Sequence, residues 1–202
     1  MSEAIAILAS YLLGSVPFAL LAAKARGVDL RTQGSGNLGA TNAIRVLGPG
    51  LGIPVLLADV AKGLVSVTVF PAVLGGASWG LPLACGAAAI VGHVASVFLR
   101  FRGGKGVAAA AGAFLGLAPA ALGIAAVVFV AVLVVTRYVS LASILGAATL
   151  PVALWRSGAR PEVLAVGVAL ALLVLFRHRA NIGRLLAGRE NRVSFRRKER
   201  TS

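Results

Sequence analysis

The sequence predicts an all-α integral membrane protein with seven transmembrane helices, and three observations carry that expectation. Of its 202 residues 58% are hydrophobic, against about 45–50% in a soluble domain, and the mean hydropathy is +0.92. The apolar residues fall in runs of about 17–25, the length that crosses a bilayer. The 20 Lys and Arg punctuate those runs instead of coating one face. The net charge of +14 therefore reads as topology and lipid contact, and nucleic acid is not an indicated partner. With no internal repeat and no separate soluble region, residues 1–202 form one domain.

The first run is Ile5–Ala23. Gly14, Ser15 and Pro17 interrupt it, so a kink or a close helix contact is expected. Glu3 precedes the run, while Lys24 and Arg26 follow it. That is the reverse of signal-peptide charge order and reads as a retained helix with its N-terminus outside. The polar stretch Lys24–Gly50 follows, with a short helix expected over Thr41–Leu47. The second run, Leu51–Val73, holds Asp59 and Lys62 on one helix face. A charge pair inside a membrane helix is costly and is expected to face the bundle interior.

The third run, Trp79–Leu99, carries Cys85 and His93. A single cysteine excludes an intramolecular disulfide, and Cys85 reads as a core residue. His93 lies seven residues before Arg100, which by helix rise is about 10 Å below the interface. A second glycine-rich basic loop, Arg100–Gly106, comes next. Val107–Val135 is too long for one ordinary crossing, and a break is expected near Gly116–Pro119. The last two runs are Val139–Trp155 and Glu162–Phe176, and the tail Arg177–Ser202 is basic. Within the tail Arg196, Arg197 and Lys198 read as topology and interface residues, as does Arg102 in the second loop.

Charge tests the count. With the N-terminus outside and seven crossings, the cytoplasmic segments, tail included, collect 17 of the 20 Lys and Arg. An unbroken Val107–Val135 would flip everything after it and put the basic tail outside.

That topology puts four polar clusters on the cytoplasmic face: Ser35 to Arg45, His93 to Lys105, Arg137 to Ser143, and His178 to Ile182 with Arg184 and Glu190 beyond. In the first, Gly34, Gly36 and Gly39 let the backbone approach a ligand, and Ser35, Asn37, Thr41 and Asn42 add hydrogen-bonding groups. Arg45, Lys105, Arg137 and Arg179, with N–H groups of the two glycine loops, suit phosphate. Gly103-Gly104-Lys105-Gly106 lacks Walker A spacing, so ATP is not indicated. Two histidines, no clustered carboxylates, no H-E-x-x-H and no cysteine pair argue against a metal. No G-x-S-x-G elbow is present, and Asp59 pairs more naturally with Lys62 than with a hydrolase triad. No cofactor is implied.

The run Gly34–Asn42 with Arg45, Asp59-Val-Ala-Lys62-Gly63, Gly92-His93 with Phe98 and Gly103–Val107, Arg137-Tyr-Val-Ser140-Leu-Ala-Ser143, and His178-Arg179-Ala-Asn181-Ile182 resembles the motifs of the bacterial acyl-phosphate:glycerol-3-phosphate acyltransferases. The resemblance covers nearly the whole chain, in order. The family usually carries Phe-Pro where this chain has Ala95-Ser96. The resemblance implies a seven-helix enzyme of the bacterial inner membrane, its site facing the cytoplasm. It implies acyl transfer from acyl phosphate to the 1-hydroxyl of glycerol 3-phosphate, giving lysophosphatidic acid, with a soluble phosphate acyltransferase supplying the donor.

On this reading Ser35, Asn37, Arg45, His93, Lys105 and Asn181 are the catalytic candidates. Gly34, Gly36, Thr41, Asn42, Gly103, Gly104, Gly106, Arg137, Ser140, Ser143, His178 and Arg179 bind substrate. His93, His178 or the leaving phosphate takes the proton. A transporter for a phosphorylated anion is the alternative, suggested by Asp59/Lys62 and the broken helices. Clusters on one face and the lack of a repeat weigh against it.

Overall fold

A computed structural model describes residues 1–75 and 78–193. The tail positions Arg196, Arg197 and Lys198 lie outside the described residues. The regular elements among the described residues are all helical: α1 (Ser2–Ser15), α2 (Phe18–Lys24), α3 (Ala40–Leu47), α4 (Pro49–Leu74), α5 (Leu81–Val94), a 3₁₀ turn (Val97–Leu99), α6 (Val107–Leu117), α7 (Pro119–Thr136), α8 (Val139–Arg156), α9 (Pro161–Arg177) and α10 (Arg179–Leu186).

Proline sets several boundaries. Pro49, Pro119 and Pro161 each open a helix, where the missing N–H costs nothing. Pro17 separates α1 from α2, and Ala118 with Pro119 separates α6 from α7. Both expected breaks are therefore present. The third run ends earlier than its hydropathy suggests. α5 stops at Val94, so His93 sits in its last turn and not mid-helix.

Five helical stretches are long and apolar enough to cross a bilayer: Ser2–Lys24, Pro49–Leu74, Leu81–Leu99, Pro119–Thr136 and Val139–Arg156. Pro161–Arg177 qualifies only together with Arg179–Leu186, across a 56° bend. α6 has 11 residues, about 16 Å of helix, well short of a core of about 30 Å. The chain is thus an all-α membrane protein with five to six long spans and one short apolar helix among the described residues.

α1, α4, α5 and α6 pack on one another, and α7, α8 and α9 form a second group joined to the first through α5 and α6. Small residues permit the closest approach. A side chain at Gly112 would meet the Val60 carbonyl, and one at Gly63 would meet the Ala109 carbonyl, so α4 and α6 touch backbone to backbone. Such interfaces are how membrane helices gain contact without a hydrophobic drive between them. Gly112→Val should therefore force α4 and α6 apart and cost about 1–3 kcal/mol, the range for overpacking. Thermal unfolding of the purified variant measures it, and an unchanged midpoint would refute the contact. The opposite, lipid-side surface is apolar, with Val135 82% and Val127 70% exposed.

Candidate active site

The first glycine loop is organised by Asn42, which is fully buried on α3. Its Oδ1 accepts from the Ser35 N–H at 2.9 Å and from Arg45 Nη1 at 3.3 Å. Its Nδ2 donates to the carbonyls of Gln33 at 3.1 Å and Leu30 at 3.3 Å. Asn42 thus spends its polar atoms inside the protein. Gly34 and Gly36 have φ of 62° and 69°, which lets the loop wrap that amide. Ser35 and Arg45 are exposed beside it, and Asn37 and Thr41 are half-buried.

The second loop folds back onto the end of α5. Gly103 and Gly104 donate their N–H groups to the carbonyls of Val94 at 2.9 Å and His93 at 3.0 Å. Their own carbonyls accept Arg177 Nη2 at 2.8 and 3.0 Å. In the first loop the Gly36 N–H goes to the Gln33 carbonyl. The expectation that both glycine loops present N–H groups to a phosphate is corrected at these positions. The Ser35, Gly36, Gly103 and Gly104 N–H groups are already bonded within the chain, and the glycines serve loop geometry there. Gly106 adopts φ of 86° and caps the start of α6.

Beneath this loop lies a buried charge cluster. Lys62 Nζ is 2.8 Å from Asp59 Oδ1 and donates to the Val16 carbonyl at 3.1 Å. His93 Nδ1 is 3.5 Å from the same carboxylate oxygen. A side chain on Gly104 would strike His93 Nε2. The cluster therefore links the α1–α2 break, α4, α5 and the residue before Lys105. A cavity of about 10 Å³ lies among them. Ser15, Ser96 and Tyr11 extend the polar band: Ser96 Oγ donates to the Ser15 carbonyl at 2.6 Å and Tyr11 to the Ala95 carbonyl at 2.9 Å. Sequence reasoning gave these three no role at the site, because lone hydroxyls in apolar runs carry no pattern.

The loops converge on Lys105. Its Nζ donates to Asn181 Oδ1 at 2.5 Å. Asn181 Nδ2 donates to Glu190 Oε1 at 2.6 Å, which also accepts Ser140 Oγ at 2.9 Å. Arg184 Nε holds Glu190 Oε2 at 2.7 Å. One network thus joins the loop before α6, the start of α8, α10 and the segment after it. Burial, opposed by Glu190 and reinforced by Arg184, Arg177 and Arg45, brings Lys105 from its ordinary 10.5 down to about 8. Burial pushes the Glu190 carboxyl up, but hydrogen bonds from Asn181, Arg184 and Ser140 outweigh it, and the group is held below the usual carboxylate range. Glu190 is the hub that sequence reasoning passed over without a role. The available signal was its sign, one of six acids in the chain, set in a basic tail.

Of the remaining expected residues, Arg179, Ser143 and Arg137 sit apart from this network, while His178 lies near enough to feel the Lys105 and Glu190 charges. Arg179 stacks on the Phe176 ring at 4.5 Å and donates to the Phe176 carbonyl at 3.2 Å. His178 is buried, with Nδ1 2.8 Å from the Val174 carbonyl. Ser143 Oγ donates to the Val139 carbonyl at 2.8 Å. Arg137 is exposed and lines a different cleft, with Tyr138 and Arg192. Among the described residues no group of three or more His, Cys, Asp or Glu could hold a metal ion.

Comparison with known proteins covers nearly the whole chain. The family model described as glycerol-3-phosphate acyltransferase matches residues 4–188. A glycerol-3-phosphate acyltransferase of Desulforudis audaxviator is 51% identical over 188 residues, 93% of each chain. That of Geobacter metallireducens is 52% identical over 190 residues, 94% of this chain and 97% of its own. The crystal structure of PlsY, an integral membrane glycerol 3-phosphate acyltransferase, in its glycerol 3-phosphate form superposes with a TM-score of 0.90 at 39% identity, covering 96% of both chains. Its lysophosphatidic acid form gives 0.86 at 38% identity, with the same coverage. The chain belongs to the glycerol-3-phosphate acyltransferase family.

Proposed function

We propose that this protein transfers a fatty acyl group from acyl phosphate to the 1-hydroxyl of glycerol 3-phosphate, releasing lysophosphatidic acid and phosphate. The observation that carries the reading is the Lys105 ammonium, half-buried against Asn181 and within reach of the Arg45 charge. Substrate and leaving group both carry phosphate, and a desolvated cation is what such groups need. Acyl phosphate is a mixed anhydride, so charge neutralisation and orientation suffice without a protein nucleophile.

In this mechanism the glycerol 3-phosphate hydroxyl oxygen attacks the acyl carbonyl carbon. The bond from that carbon to the phosphate oxygen breaks, and phosphate leaves with the electron pair. Lys105, Arg45 and Ser35 hold phosphate groups, while Asn37, Asn181 and Ser140 orient the reactants. His93 has Nδ1 toward Asp59 and Nε2 against Gly104, and His178 has Nδ1 toward a carbonyl. Both contacts engage Nδ1 and leave Nε2 of each ring without a hydrogen-bond partner among the described residues, so His93, His178 or the leaving phosphate takes the proton. The same reading gives seven crossings with α6 as a short one, an outside N-terminus, and the site on the cytoplasmic side of the bacterial inner membrane. A soluble phosphate acyltransferase supplies the donor.

The test is purified protein in lipid with acyl phosphate and glycerol 3-phosphate. Lysophosphatidic acid should form without ATP or metal, and acyl-CoA should not substitute. Absence of product from an active donor would leave the transporter reading standing.

Lys105 also fixes a pH dependence. Its folded value lies below its unfolded one, so the unfolded chain holds more protons between pH about 8 and 10.5. Stability therefore gains from this group as pH rises through that window, and below it the buried ammonium is carried at a cost. Binding runs the other way, because the ammonium attracts phosphate and is lost above pH about 8. KM for the phosphate substrate held by Lys105 should rise above pH 8, by up to about tenfold per unit. Lys105→Arg should flatten that rise, and an equal rise in both proteins would rule Lys105 out as its origin.

A further inference from the structure

A second basic feature stands outside the Lys105 network. α7 runs 18 residues from Pro119 to Thr136, about 27 Å of helix and close to the hydrocarbon thickness. Arg137 follows at once and so stands at headgroup depth. It adopts φ of 62°, a left-handed conformation that is uncommon for a non-glycine residue. Its carbonyl accepts the Val193 N–H at 2.9 Å, which draws the C-terminal segment across it. That contact brings Arg192 over the Tyr138 ring, 4.9 Å from guanidinium to centroid. Arg137, Tyr138 and Arg192, with Val135 and Thr136, line an open cleft of about 530 Å³.

The face of α7 leading into the cleft is apolar and uncovered. Ile124, Val127, Val130, Val134 and Val135 are all more than half exposed, and their spacing puts them on one side of the helix. Two guanidinium groups and a phenol above such a stripe match one kind of molecule: a phosphate headgroup above acyl chains. A soluble protein partner would not use the stripe, which lies at membrane depth.

We propose that the Arg137–Tyr138–Arg192 cleft binds an anionic phospholipid of the bilayer, its headgroup phosphate on the two arginines and an acyl chain along the exposed face of α7. Arg137, expected from sequence to bind substrate, serves this lipid. The site adjoins the Lys105 network, since Ser140 lies two residues beyond Tyr138 and Glu190 two before Arg192. The proposal does not depend on the acyl-transfer reading.

The test uses the full chain purified in detergent with mixed phosphatidylglycerol and phosphatidylcholine. Native mass spectrometry counts the lipids retained. Wild type should keep phosphatidylglycerol in preference to phosphatidylcholine. Arg137→Ala/Arg192→Ala should weaken retention of one phosphatidylglycerol roughly 30-fold, about fivefold per arginine. Arg156→Ala/Arg160→Ala, at the far end of α8 and start of α9, should not. If the double alanine variant fails to fold, Arg137→Gln/Arg192→Gln keeps side-chain length and answers the same question. Undiminished retention in a folded variant would overturn the proposal. So would equal retention of phosphatidylcholine by wild type, or displacement of the lipid by millimolar inorganic phosphate, which would make the ligand a free anion.

Discussion

Replacing Lys105 with alanine should lower kcat/KM for lysophosphatidic acid formation by about 10²–10³-fold, the scale of removing one preorganised electrostatic contact. Lys105 is the cation that three separated parts of the chain are built around. Its Nζ is fixed by Asn181, whose amide is fixed in turn by Glu190. Burial raises the value of its charge to a phosphate and makes it cost something when no ligand is bound. The variant should fold, because Arg184 still neutralises Glu190 at 2.7 Å when Lys105 is gone. Lys105→Arg restores the charge in a bulkier, forked group and should recover only part of the rate. A folded alanine variant within about threefold of wild type would remove Lys105 from the chemistry, because one electrostatic contact of this kind is worth far more.

The largest stability effect is expected at Asp59. Asp59→Ala leaves the Lys62 ammonium 3% exposed, with the Val16 carbonyl at 3.1 Å and the face of Phe18 at 5.6 Å as its remaining partners. Removing one member of a buried pair costs about 3–5 kcal/mol, because the other charge is stranded. The double variant Asp59→Ala/Lys62→Met should regain most of that loss, since an apolar replacement of a whole pair is often neutral. Unfolding of the three proteins in detergent distinguishes the cases. A single variant as stable as wild type, or a double variant worse than the single, would mean that the pair is not a coupled unit.

The helices and their breaks were largely legible because they follow from apolar length and proline. The α1–α2 break at Pro17 and the α6–α7 break at Pro119 fell where the pyrrolidine ring and glycine neighbours put them. The end of α5 was not legible. Val97, Phe98 and Leu99 extend the hydropathy past Val94, but they form a 3₁₀ turn folded back by the Ser96–Ser15 bond. That contact spans 81 residues and leaves no local trace. α6 reads as part of a 29-residue apolar run, and only the break reveals how short it is.

The candidate site was legible as residue types and less so as roles. Lys105, Asn181 and Ser140 do meet, with Arg45 near enough to bear on the lysine. Asn42 looked like a ligand-facing amide and turns inward instead, because its side chain stands in for backbone partners of a wound loop. Glu190 could not be ranked from sequence, since hydrogen bonds from Asn181, Ser140 and Arg184 give it importance and none of them is a pattern.

The position of Glu190 has a consequence for biosynthesis. Helices enter the membrane in the order they are made, so Lys105 is threaded in long before residues 181–190 leave the ribosome. Until then its ammonium lacks both the Asn181 amide and the one carboxylate in its network among the described residues. A nascent chain stalled before Glu190 would hold both glycine loops and still lack a set cation. On the proposed reading of Lys105, catalytic competence is then a late event of synthesis, switched on when Glu190 arrives.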